Sequence, residues 1–418
     1  MGVDLRQVVA GILTLTMFVM LGHMIKRDNF DYAEEKFPGD GSSSLENAKI
    51  SKEGLFSLVK KGGALSDDGQ ELKPCWSKPG LDDVEQTEGF VLFSLTNGPE
   101  YHVSQIADAV VVARYLGATL VVPDIRGSKP GDERNFEEIY DVEKFILSLD
   151  GVVRVAKERP GKLSSRNLAA VKVPNRVTED YIVEHVEPIY RSKGNIRLAT
   201  YFPSVNMKKT EKKSASESVA CLGMFGTLEL QPEISEVVDS TVERLRTLSR
   251  KTNGQFVAVD LRVEMLEQNG CQGDESGTKS CYNPQEVALF LRKIGFGKDT
   301  TIYVTESKWD SSLDNLKDIF PKTYIKDGIV PADKKSKFLD SEGSEYEKII
   351  DYYICSQSDV FIPAISGLFY ANVAGKRIAS SKTEILVPAD ISSSSASAAS
   401  FITHYVSKKN HLAYSCFC

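Results

Sequence analysis

Apolar residues in this chain occur as short unbroken runs and as helical stripes, and the two alternate. Residues 89–93, GFVLF, make a run suited to a strand buried on both faces. A loop with Asn97, Gly98 and Pro99 follows. Val103, Ile106, Ala107, Val110 and Val111 then recur at helical spacing until Gly117, and residues 118–122 give the next apolar run. Strand, loop, helix, strand is the βαβ unit of a parallel sheet. The pattern goes on with a helix near 136–149 and a strand at 152–155.

A longer stripe, with Ile234, Val237, Val238, Leu245 and Leu248, predicts a helix over 231–251, opened by Pro232 and closed by Asn253-Gly254. Alternation then resumes: strand 256–261, helix 284–293, strand 301–305, helix 312–320, helix 346–356, strand 359–363 and helix 367–374. Two doubly wound units joined by a long helix predict an α/β protein of two Rossmann-like domains, with a cleft between them. The boundaries expected are 86–250 for the first domain, 251–390 for the second and 391–418 for a tail. Residues 208–218 and 391–400 are polar, low-complexity stretches that read as surface loops.

The N-terminus has another character. Residues 7–25 contain no acid, Lys or Arg, and their 19 positions are just enough to span about 30 Å of hydrocarbon. A cleaved signal peptide is the alternative, but no convincing small-x-small site precedes Lys26, so the stretch reads as an uncleaved transmembrane signal-anchor with residues 1–6 as a cytosolic tail. Residues 26–85 lack a sustained apolar period and read as a stem.

Composition narrows the function classes. A 418-residue chain with a net charge of −7 lacks the basic balance of a nucleic-acid surface. Seven cysteines are too few for a disulfide scaffold; Cys271 and Cys281, which flank a short Gly-rich loop, make the candidate disulfide pair. Asp-x-Asp, Walker A and G-x-S-x-G motifs are all missing, as is any His/Cys set at zinc spacing.

Three loops follow strands where the cleft should lie. In the first, Gly98 lets backbone amides approach a ligand, and Glu100 and His102 are candidate proton acceptors; alternatively, Glu100 simply complements the helix dipole. The second is Asp260-Leu261-Arg262. Its arginine suits a diphosphate, or else pairs with Asp260 or Glu264. In the third, Ser366-Gly367 opens a helix after a strand, which suits an anion at the helix start.

NGPEYHVSQIADAVVVARYLGATLVVPDI, VDLRVEM and DYYICSQSDVFIPAISGLFYANVAGKR resemble the plant branch of the O-fucosyltransferase-like glycosyltransferases over roughly residues 88–377. MGVDLRQVVAGILTLTMFVMLGHM, DIRGSKPGDERNFEEIYD and KKNHLAYSCFC resemble, more narrowly, its mannan-synthesis-related group. The resemblance implies a single-pass type II Golgi membrane protein with its body in the lumen and a fold of the glycosyltransferase B kind. It implies a donor such as GDP-mannose or GDP-fucose, inversion without a metal or other cofactor, and a mannan-type polysaccharide acceptor. It also leaves room for an accessory role beside a mannan synthase, or for protein O-fucosylation. Arg262 is then the diphosphate-binding arginine, and Asp359, Ser366 and Gly367 belong to the donor segment. Thr305 and Glu306 line the nucleotide pocket, Asn97, Gly98 and Asp260 border the substrates, and Glu100 stands where the base falls.

Three positions depart from the family pattern. The usual Gly-Gly-Leu-Asn-Gln loop is Gly98-Pro99-Glu100-Tyr101-His102, His-Leu-Arg is Asp260-Leu261-Arg262, and the Asn after Ser-Gly is Leu368. These changes imply either an altered donor or acceptor, or a weakened catalyst.

Overall fold

The computed structural model describes residues 71–78, 80, 85–127, 133–161, 168–209, 216–269, 280–339, 344–388 and 402–418. The anchor expected at 7–25 lies outside them, as do most of the stem and Cys271. Among the described residues no helix is long and apolar enough to cross a membrane.

The first half is built on β1 (Phe90–Thr96), whose run of buried side chains puts it at the centre of a seven-stranded sheet. From β1 the chain enters helix α1 (Pro99–Tyr115) and returns in β2 (Thr119–Val121), β3 (Asp124–Arg126) and β4 (Glu133–Asn135). Helix α2 (Val142–Leu149) is capped by Asp141, whose carboxylate accepts from Glu143 N and Lys144 N; β5 (Val155–Ala156) follows it. The strand order β4-β3-β1-β2-β5 is extended by β7 (Asn195–Tyr201) on β1 and β6 (Ala169–Pro174) on β7, and every pairing is parallel except β3 with β4. Neither β6 nor β7 was expected. The signal was available, since Val171 and Val173 are buried between exposed neighbours, the period-two mark of a half-buried strand.

Helix α3 (Glu217–Phe225) packs on α1, and α4 (Pro232–Leu248) carries the chain across to the second half. There β8 (Phe256–Asp260), buried at all five positions, leads to α5 (Val263–Asn269), α6 (Pro284–Lys293), β9 (Thr301–Val304), β10 (Thr323–Ile325), α7 (Glu345–Gln357), β11 (Val360–Pro363) and α8 (Leu368–Ala379). The order is β10-β9-β8-β11, all parallel, with Val257 opposite both Ile302 and Val360. Burial on both faces explains the apolar runs that made these strands legible.

Of the segment expected as a separate tail, residues 402–418 pack onto the body. Residues 402–418 run from the second half back to the first: His411 Nε2 hydrogen-bonds Ala371 O of α8 at 2.9 Å, Leu412 N donates to Met207 O, and Cys416 is bonded to Cys221 of α3. No spacing rule brings out a disulfide between residues 195 apart. Cys281 is disulfide-bonded as well.

Candidate active site at the strand carboxyl ends

In each sheet the chain leaves a central strand in one direction and later comes back on its other side. For the second sheet that reversal falls between β8 and β11, and open α/β sheets bind ligands at the carboxyl ends of strands at this point. Arg262 follows β8 there, and Ser366-Gly367 follows β11. In the first sheet the reversal falls at β1, which is followed by Asn97 and Gly98.

Arg262 sits beside the first turn of α8, its guanidinium 5.1 Å from the centre of the Phe369 ring, with the side chain 30% exposed. It is also an ion-pair partner of Asp260, at 3.2 Å. Asp260 is fully buried and accepts from Thr305 Oγ1 at 3.2 Å; burial pushes its carboxyl up, against the pull of Arg262 and Thr305. Thr305 Oγ1 also accepts from Leu261 N at 3.1 Å, so Thr305 fixes the turn that carries the arginine. Both alternatives for Arg262 thus have structural content: it is paired, and it keeps a face toward the opening.

Across the joint, Gly98 caps α1 with φ 112°, and Glu100 in the first turn is 7% exposed. Burial pushes Glu100 up to about 7; its own backbone amide, Arg262 and Lys348 pull the other way, and Glu345 adds to the rise. Glu100 and Arg262 therefore act on each other electrostatically across the two halves. The halves are stitched at the same residue, where Asn372 Nδ2 of α8 donates to Glu100 O at 2.9 Å. The Glu100 Oε2 atom is buried without a hydrogen-bond partner, a costly state for a carboxylate.

His102 is fully buried, with Nδ1 sharing a 2.9 Å hydrogen bond with the Tyr140 hydroxyl and Nε2 4.0 Å from Glu345 Oε2. Burial, with the charge of Lys348, pushes it down to about 3, so it is a far weaker base than Glu100 at neutral pH. Glu345 and Lys348 form an ion pair at 3.0 Å on the first turn of α7. Glu345, Lys348 and Asn372 escaped sequence reasoning because each lies on a helix far along the chain; Ser344 before Glu345 did offer a visible helix cap.

Two expected donor residues do other work. Asp359 is not at the opening: it precedes β11, at the opposite end of the strand from Ser366, where its carboxylate accepts from Phe256 N at 3.0 Å and pairs with Arg246 at 3.4 Å. Parallel pairing of β8 and β11 sets amino end beside amino end, which forces that placement. Glu306 stands at the right edge but is occupied, accepting from Val263 N at 2.7 Å and Ser307 N at 3.0 Å, so it caps α5 directly after Arg262. Ser366 Oγ donates to Ser280 O at 2.9 Å. Asn97 is exposed at φ 68°. A cavity of about 700 Å³ lies elsewhere, lined by Tyr353, Lys376, Glu229 and Asp239, and includes none of the expected residues.

Residues 91–379, from within β1 to the last residue of α8, match the family described as GDP-fucose protein O-fucosyltransferase. The chain belongs to that family. It is 62% identical to Protein MANNAN SYNTHESIS-RELATED 1 of Arabidopsis thaliana, with all of both chains covered. Identity to Protein MANNAN SYNTHESIS-RELATED of Trigonella foenum-graecum is 51%, covering 99% of each chain. The full-length matches set it among the mannan-synthesis-related members of the O-fucosyltransferase family. Among solved structures, POFUT1 in complex with GDP is similar at 14% identity and a TM-score of 0.43, covering 72% of this chain and 98% of that one. The family span holds both sheets and all the strand-end loops, whereas the strap at 402–418 lies outside it.

Proposed function

We propose that this protein is a GDP-sugar-dependent glycosyltransferase acting in mannan synthesis, inverting and metal-independent, transferring from GDP-mannose or GDP-fucose to a polysaccharide hydroxyl. The observation that carries the reading is the approach of Glu100 and Arg262 from opposite halves to one joint. Inversion needs a base on one side of the anomeric carbon and a charge-stabilising group on the other. The acceptor hydroxyl oxygen attacks the anomeric carbon as its proton passes to Glu100. The bond to the diphosphate breaks, and its electron pair stays on the departing GDP. Arg262 and the amino end of α8 then face that growing negative charge. A Glu100 carboxyl held near 7 is half ionised at neutral pH, which suits a base. The mannan assignment rests on the names of the full-length relatives. The apolar stretch at 7–25 supports a Golgi anchor with the body in the lumen, and the disulfides support an oxidising compartment.

One observation favours a second reading, a non-catalytic partner of a mannan synthase. Asp260, where the family pattern has His, pairs with Arg262 and offsets the charge a diphosphate would meet. Calorimetry of the full chain with GDP, GDP-mannose, GDP-fucose and UDP separates the two. Binding of a guanosine nucleotide, followed by product formation on mannan oligosaccharides with the same sugar donor, is expected. Absence of binding to all four ligands would transfer the case to the accessory role.

A further inference from the structure

Residues 71–78 pair with the C-terminal strap as a short antiparallel ladder. Lys73 N donates to Cys418 O and Cys418 N to Lys73 O, each at 3.0 Å, Cys75 N donates to Cys416 O at 3.0 Å, and Pro74 stands opposite Phe417. Directly opposed residues share a face, and side chains two apart along a strand share it too. Cys75, Cys416 and Cys418 therefore project from one side of the ladder. Cys416 is buried and already bonded to Cys221, whereas Cys75 and Cys418 are exposed thiols. The Cys75 thiol donates to Ser415 O at 3.7 Å and interacts directly with Cys418; burial and that contact together raise it to about 11.

We propose that Cys75 and Cys418 are an oxidisable pair that closes a further disulfide beside Cys221–Cys416, clasping the segment entering the body to the strap. This pair is independent of any transferase activity. The oxidant is a disulfide of the glutathione class. One cysteine thiolate attacks an oxidant sulfur and releases one glutathione thiol, leaving a mixed disulfide. The second thiolate then attacks the protein sulfur of that mixed disulfide and releases the other. Two cysteine thiols are oxidised, one oxidant disulfide is reduced to two thiols, and the cysteine protons pass to them. Cys416 is shielded from the exchange by burial, and Cys355, also buried, stays a thiol.

The test incubates the purified full chain with reduced and oxidised glutathione, quenches with acid, alkylates, and maps peptides by mass spectrometry without reduction. The expected result is a linked peptide pair joining Cys75 to Cys418, lighter than the alkylation-free thiol pair by two hydrogen atoms, with Cys221–Cys416 intact. In Cys418→Ser, Cys75 becomes fully alkylatable while Cys221–Cys416 persists. Recovery of Cys75 and Cys418 as separate alkylated or glutathionylated peptides overturns the proposal, as does linkage of Cys75 to Cys416.

Discussion

Gly98 and Gly367 each cap a helix that follows a parallel strand, at φ 112° and 141°, and neither has a side-chain cap. A Cβ on Gly98 would stand 2.8 Å from Glu100 Oε2 and 3.3 Å from Lys348 Cδ, while one on Gly367 would meet nothing within 4 Å. The same joint thus has two outcomes. At Gly98 the first turn is filled by the chain's own carboxylate, and the amide of Glu100 serves that carboxylate. At Gly367 a side chain would meet nothing, and Arg262 stands over Phe369 in the turn that follows. The first half therefore presents a buried carboxylate and the second an uncrowded helix start near an arginine, although both loops read alike as glycine-opened helices.

The largest effect should come from removing the buried carboxylate. With Glu100 raised from 4.5 to about 7, the native state holds its proton more tightly than the unfolded chain does. This contribution is fully present below about pH 4.5 and is lost as pH rises through 7, amounting to on the order of 3 kcal/mol. Glu100→Gln should abolish that part of the pH dependence, so that urea unfolding of variant and wild type diverges between pH 5 and 8. Parallel curves would mean that the carboxylate is solvated and that the two helix starts are more alike than the burial suggests.

Next in size, Arg262→Ala should weaken GDP binding by about 2 kcal/mol, roughly thirtyfold or more, read by calorimetry. Unchanged affinity would show that the open helix start does not hold the anion with this arginine. The two glycines can then be compared directly. Gly98→Ala should cost about 2 kcal/mol of unfolding free energy, from a strained φ plus the crowding of Glu100, and Gly367→Ala about 1 kcal/mol from strain alone. Reversal of that order in denaturant titrations would break the comparison. The smallest effect is expected from Asp260→Asn, which should tighten GDP binding a few-fold by freeing the charge of Arg262. Weaker binding in that variant would make Asp260 a positioning residue for the arginine instead.

Some of this arrangement could be read without coordinates. Phe256 to Val259 and Val360 to Pro363 are unbroken apolar runs because their strands are buried on both faces, and α4 carries a clear stripe ending at Leu248. β6 and β7 were overlooked where burial alternates and the runs are weaker. In the site, Arg262 and Gly367 were legible because a strand end and a helix start are local features. Asp359 was not: its chemical type suits a binding loop, but it begins a strand whose parallel register carries it to the far edge of the sheet.

The chain by itself determined the α/β alternation and the strand-end loops, since each depends on a few neighbouring residues obeying a period or a turn rule; the order of the strands, and with it the two reversal points, came only with the tertiary structure. Tertiary structure alone decided which capping glycine is crowded by a carboxylate, that Asn372 stitches one half to the carbonyl of Glu100, and that Cys221 meets Cys416. These outcomes join residues as many as 272 positions apart. Burial and Coulombic interaction depend on the distance between side chains in space, and no local period encodes that distance.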